Sequence, residues 1–523
     1  MCTGEASGGA HDIDLWKIKS YKFVRSVDFS LAQCYSIRDG HCKAVSYDTF
    51  GSVNMETAKK RFRFSKEVNM LEGSIVNGLL GIAIPIMIMN VITSLFNIVD
   101  MSILKMFDTD GGYAVGAVGA CGTLISLITG LVIGCSAGAN VCIAKRIGKG
   151  DKEGVDRAVG TSIVLSLVGG LILTAIGVSF AEIFLGWMNC PDRLMKQAAL
   201  YFRMYFAGCP ILMLYNFVAA VLRSSGDTKR PMLYLITGSA VKLAMTFLFV
   251  GVFKMQVMGV SIATIISWTV MALLASRALV FHGGAVQLKL DKLRFYKEEL
   301  REILAVGIPA GLQQALYSIA NVIITATVNS YGPDATTGIS IANNFDGVLY
   351  QISHSPSLAV MPYVSQNVGA GNLKRAKKSI IRGMLITTAL GATFGSLSAI
   401  FSGQLASIMT DTPAVITYAQ QKMVIISSTY FICGINDIMG AAMRGLGKPL
   451  IPTIATLIYM CGIRFIWVYL IFPFMAGNMT FLYLIWPIGW ILSLITLTAF
   501  YFPTVKKLAM RLGECEEKTK TVA

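Results

Sequence analysis

Twelve apolar runs, each long enough to cross a lipid bilayer, follow one another along this 523-residue chain. They fall at approximately 75–98, 117–142, 158–182, 199–222, 232–253, 257–280, 303–328, 338–363, 380–403, 414–438, 450–473 and 478–502. A bilayer core is crossed by about 20 apolar residues in helical form. A helix also satisfies its own backbone hydrogen bonds, which lipid cannot do. The runs therefore predict an all-α integral membrane protein with twelve transmembrane helices. Composition excludes one large soluble core: 54% of residues are hydrophobic and 14% charged, against roughly 25% charged in soluble domains.

The net charge of +16 has a topological meaning. Cations crowd alternate loops: Lys145, Arg146, Lys149, Lys152 and Arg157 after the second run; Arg223, Lys229 and Arg230 after the fourth; residues 289–302 after the sixth. They recur as Lys374, Arg375, Lys377 and Lys378 after the eighth, Arg444 and Lys448 after the tenth, and Lys506, Lys507 and Arg511 after the twelfth. The intervening loops are poor in cations. The positive-inside rule places the basic loops and both termini in the cytoplasm. A multi-pass protein of the cell inner membrane is expected, with the lipid bilayer rather than nucleic acid as the partner of its charge.

Residues 1–70 are polar, mixed in charge and without an apolar signal core. They read as a cytoplasmic or loosely ordered extension, or as residues ahead of a start at Met55 or Met70. The predicted division is then 71–280 for a first six-helix lobe, 281–302 for a basic cytoplasmic connector, 303–504 for a second lobe, and 505–523 for a tail. The connector's "LKLDKLRFYKEELREIL" is compatible with an amphipathic surface helix. The eleven cysteines show no zinc or redox spacing, and those inside apolar runs read as small hydrophobes.

The two lobes repeat each other. "LLGIAIP" at 79–85 matches "ILAVGIP" at 303–309. Gly148 and Gly150 correspond to Gly369 and Gly371, and Arg223 and Gly226 to Arg444 and Gly447. Six spans return the chain to its starting side, so the halves are parallel and related by a pseudo-two-fold axis along the membrane normal. Two such bundles facing each other can rock about a central cleft. The repeated glycines read as turn residues, and Arg223 and Arg444 as anchors at the inner membrane face.

Ionisable groups at membrane depth carry the functional expectations. Asp100 interrupts the first run, with Asn97 about one helical turn before it. Lys242 lies deep in the fifth and needs a partner, for which Asp100 is a candidate. Gln313 and Asn321 lie in the seventh run, Asn343 and Asp346 in the eighth, and Asn436 and Asp437 in the tenth. His354 in the eighth can titrate near neutrality. These are candidate ion-coupling or substrate-binding residues, each with the alternative of an interhelical hydrogen bond. No HExxH, GxSxG or Walker A motif appears, so an enzyme is not expected.

In "IPIMIMNVITSLFNIVD", "IAKRIGKGDKEGVDRAV", "VLRSSGDTKRPM", "GIPAGLQQALYSIANVII", "VSQNVGAGNLKRAKKSI" and "MRGLGKPLIPT" the chain resembles the multidrug and toxic compound extrusion (MATE) family. The general resemblance is nearer to the bacterial branch that includes the DinF proteins. It covers about residues 70–510 and implies export of cationic, amphipathic compounds by proton or sodium antiport. It implies a functional first-span carboxylate, matched by Asp100. One branch binds its coupling ion through a segment-seven glutamate and a segment-ten aspartate; here Tyr317 or Ser318 and Cys433 stand there instead. Coupling through Asp100 fits better, with proton and sodium both open and a sodium site there as one reading. No cofactor and no obligatory protein partner are expected. Two further readings are a flippase for a lipid-linked precursor and a membrane receptor or scaffold without transport.

Overall fold

The computed structural model describes residues 67–107, 113–187, 192–281, 284–475 and 478–522. Residues 1–66 of the expected N-terminal extension lie outside the described residues. The rest is nearly all-helical and makes twelve passes. The first six are α1 (Ile75–Met106), α2 (Tyr113–Lys149), α3 (Lys152–Ser179), α4 (Asp192–Ala207 with Cys209–Ser224), α5 (Lys229–Val252) and α6 (Gln256–Phe281). The second six are α7 (Lys297–Asn329), α8 (Pro333–Gly369), α9 (Leu373–Ile400), α10 (Pro413–Ser428 with Tyr430–Gly445), α11 (Leu450–Phe474) and α12 (Met479–Leu512).

Helix length and hydropathy alone pick out nine single spans among the described residues, plus α4 and α10 as broken spans bent by 46° and 48°. The twelfth pass is α8. Its 37 residues are ample, but Asn343, Asp346, His354, Gln366 and Asn367 break its apolar run. It tolerates them because it packs against both lobes, including α1, α2, α10 and α9, and so meets little lipid.

The connector ends sooner than expected, because α7 begins at Lys297 rather than at 303. Residues 290–292 form only one short 3-10 turn. Lys289 pairs with Asp156 at 2.6 Å, and that hydrogen bond pushes the Lys289 pKa up. The Tyr296 amide donates to the Thr161 hydroxyl at 3.2 Å. These bonds hold the connector on α3. At the other end of the chain, the helix of α12 continues to Val522, through the segment expected as a tail.

The repeat is visible atom by atom at the basic-loop end. Gly150 and Gly371 adopt φ of 72° and 74°, and Gly226 and Gly447 adopt 94° and 79°, a region that favours glycine. The Asp151 carboxylate caps α3 by accepting from Gly154 N at 2.8 Å. Asn372 caps α9 in the corresponding way, accepting from Arg375 N at 3.0 Å. Gly148 and Gly369 do something different from the turns expected of them. Gly148 lies against the Gln366 backbone and Gly369 against the Lys145 backbone, each without room for a Cβ. The ends of α2 and α8 therefore cross at the pseudo-two-fold axis.

The lobes share their first helices. The opening half of α1 (Leu79, Ile82, Ala83, Ile86) packs into the core of the second lobe, with Val360, Tyr363 and Met443. The opening half of α7 packs on α2, where Gly134 and Gly138 face Gly311 and Gly307 too closely for any side chain. Small residues let membrane helices approach in the absence of a hydrophobic driving force between them. Charges complete the seal beside the seam. Glu302 pairs with Lys145 at 2.9 Å and Arg146 at 2.5 Å, and Glu299 with Arg157 at 3.0 Å. Arg375 grips the carbonyls of Met70, Glu72 and Gly73 at 3.0, 2.6 and 3.0 Å.

Candidate functional site

In the half of α1 remote from the basic loops, Asp100 faces α5. Lys242 and Thr246 stand one turn apart there, on one helix face. Lys242 Nζ lies 2.9 Å from Asp100 Oδ2. The Thr246 hydroxyl donates to Oδ1 at 2.7 Å. Asp100 is only 4% exposed, yet both its oxygens are engaged and its charge is neutralised. A buried charge without such a partner is costly. Thus Lys242 meets the partner considered for it. The side chain of Asn97 lies outside the described residues, although its backbone continues α1.

The second lobe spreads its polar groups over several places. Asp346 pairs with Lys422 of α10 at 2.8 Å, and Lys422 also donates to Asn343 Oδ1. Asp346 and Lys422 are 7% and 3% exposed, so the cation of this pair is more deeply buried than Lys242, whose side chain is 21% exposed. The pair lines a cavity of ≈ 300 Å³ shared with Asn321, Ile324, Tyr430, Tyr483 and Trp486, at the lower end of the range for small-molecule sites. Asp437 instead meets His354, whose Nδ1 lies 2.8 Å from Oδ2, with the Tyr350 ring stacked on the imidazole at 5.0 Å. Asn436 is buried, and among the described residues its Oδ1 has no partner. Gln313 accepts from Arg444 at 2.9 Å. Arg444 thus turns inward to α7 instead of anchoring at the membrane face.

Two cations were not singled out from the sequence: Lys422 and Arg464. Arg464 is 2% exposed and donates to Asn321 Oδ1 at 2.7 Å. Its guanidinium lies 5.1 Å from the Trp486 ring centre. The available signal was the one that found Lys242, a lone cation inside an apolar run. Among the described residues, no group of three or more His, Cys, Asp or Glu could hold a metal ion.

Comparison with known proteins agrees with this architecture. The family model MatE matches twice, at residues 85–248 and 309–470, one match in each lobe. The probable multidrug resistance protein YoeA of Bacillus subtilis is 26% identical over 440 residues, which are 82% of this chain and 94% of that protein. The probable multidrug resistance protein NorM of Thermotoga maritima is 27% identical over 387 residues, 73% of this chain and 82% of that one. A solved structure described as the outward-facing conformation of a multidrug resistance MATE family transporter has a TM-score of 0.77 at 22% identity. It covers 85% of this chain and 99% of that one, and so shares the fold.

Proposed function

Because the chain belongs to the multidrug and toxic compound extrusion family of membrane transporters, we propose that it exports small organic compounds, cationic amphipathic ones among them, in exchange for protons. The carrying observation is the fully engaged Asp100 in α1. Its basic loops lie in the cytoplasm with both termini, in a cell inner membrane. The close seam at that end then makes this the state closed to the cytoplasm.

The coupling follows from the pair. With Asp100 ionised, Lys242 holds α1 to α5. A proton on Asp100 removes the attraction and leaves an ammonium unpaired in a poor dielectric, which favours rearrangement of the two helices. A sodium ion at the same carboxylate would first have to displace Lys242. The proton is therefore the better coupling ion. Alternating access then arises by rocking of the lobes about the pseudo-two-fold axis.

The test is a proteoliposome assay with a fluorescent organic cation, in which a pH gradient and a sodium gradient are imposed separately. The pH gradient should drive transport and the sodium gradient should not, and Asp100→Asn should abolish it while remaining in the membrane. Sodium-only transport, or transport retained by Asp100→Asn, would overturn the coupling assignment.

A further inference from the structure

The internal repeat exposes a charge that the second lobe leaves unanswered. Counting on from Pro85 and Pro309, where the two family matches begin, Asn97 corresponds to Asn321 and Asp100 to Ile324. Counting back from Leu248 and Leu470, where they end, Lys242 corresponds to Arg464. The first lobe thus pairs a cation with a carboxylate at 2.9 Å. The second lobe keeps the cation and has isoleucine in place of the acid. Among the described residues Arg464 forms no ion pair; the neutral Asn321 amide is its hydrogen-bond partner. The helix around it is irregular, with π turns at Leu457–Gly462 and Trp467–Ile471 on either side. Such bulges occur often at functional sites.

The vacant acid position opens on the cavity. Ile324 and Asn321 both line it. A guanidinium only donates, so the Asn321 oxygen must face Arg464, which leaves the amide NH₂ of Asn321 as a donor polarised by the charge behind it. The buried Tyr483 hydroxyl, also in the lining, has no partner among the described residues. Trp486 lies close to two cations, with Arg464 at 5.1 Å and Lys422 Nζ at 5.8 Å from its ring centre. The lining itself holds one ion pair, Asp346 with Lys422 at 2.8 Å; Arg464, behind Asn321, adds a positive charge that no carboxylate among the described residues pairs. Asp346 Oδ1 is itself without a partner among the described residues and offers an acceptor to a ligand amine.

We infer that this cavity takes an aromatic compound bearing an acidic group, the anion seated at Asn321 and Ile324 under the charge of Arg464. The inference rests on the transporter reading and names its substrates more closely: zwitterionic aromatics bind better than the same cations without the acid. The aromatic body fits the rings of Tyr430, Tyr483 and Trp486. A carboxylate supplies from outside the anion that Asp100 supplies in the first lobe.

The experiment compares a rhodamine carrying a free benzoate with the methyl ester of the same dye. Binding to purified protein in phosphatidylcholine nanodiscs is measured by fluorescence anisotropy, and transport in proteoliposomes is measured alongside. The wild type should bind the free acid about tenfold more tightly, the scale of one charge-assisted hydrogen bond. Arg464→Gln should erase that preference. Ile324→Asp should erase it too, because it restores an internal acid beside Arg464. Its retained binding of the ester would show an intact fold if Arg464→Gln does not fold. Equal binding of acid and ester by the wild type, or a preference that survives Ile324→Asp, overturns the inference. So does a preference abolished in phosphatidylglycerol nanodiscs, which would give the anion site to a lipid headgroup. Binding is read without a gradient. Absence of transport with the preference intact would therefore count against the antiport reading alone.

Discussion

Asp100 and Lys242 constrain each other more than either constrains its surroundings. Removing one partner of a buried ion pair leaves an uncompensated charge and costs about 3–5 kcal/mol, whereas removing both is often near neutral. Lys242→Met should therefore lower the melting temperature of the purified protein markedly. Asp100→Asn combined with Lys242→Met should recover most of that loss, while transport stays absent. A double variant as unstable as the sum of its singles would show that the two groups are not coupled. At this scale an acid inside an apolar run was readable in the sequence, and so was Lys242. Lys422 and Arg464 were not read. Topology counting assigns cations to loops, and the meaning of these two lies in partners from other helices. Asp346 gives Lys422 its partner across the lobe, and Ile324 stands where an acid would have answered Arg464, which bonds the neutral Asn321 instead.

Among the elements, the glycines of the repeated loops divide into two kinds that their spacing does not separate. Gly150 needs its positive φ but has open space around it, whereas Gly148 has a helical backbone and no space. Gly148→Val or Gly369→Val should push α2 and α8 apart. Overpacking of this kind costs about 1–3 kcal/mol, and it falls on the closed state alone, so transport rates should drop steeply while the protein still inserts. Gly150→Ala should cost only about 1 kcal/mol of backbone strain and leave transport largely intact. Melting curves and initial transport rates check both, and a Gly148→Val protein with full activity would remove the crossing from the mechanism. Spacing alone located these glycines; only the contact with Gln366 and Lys145 told which was a hinge of the turn and which a point of crossing. Likewise α8 was legible as the apolar run at 338–363, although its polar residues keep the whole helix from standing out by mean hydropathy.

For the whole molecule, the parallel repeat made two lobes readable from sequence, because three sets of landmarks recur at matching places. It did not reveal that α1 and α7 each pack into the opposite lobe, since exchange of helices leaves no mark on hydropathy. That exchange brings helices of both lobes together at the basic-loop end and offers a native reporter for the proposed motion. Cys142 is fully buried at this end, with its Sγ 3.6 Å from Glu302 Oε2, inside the ion-pair cluster that joins α2 to α7. Opening toward the basic-loop side must separate Glu302 from Lys145 and Arg146, and so uncover Cys142. A maleimide applied from that side should label Cys142 slowly at rest, faster during gradient-driven transport, and faster still in Glu302→Gln, where two of the pairs are lost. The same reagent from the opposite side should not label it in any of these conditions. Peptide mass spectrometry distinguishes Cys142 from the other cysteines. Labelling that is equal from both sides, or indifferent to transport, would mean that the lobes do not part along the α2–α7 seam.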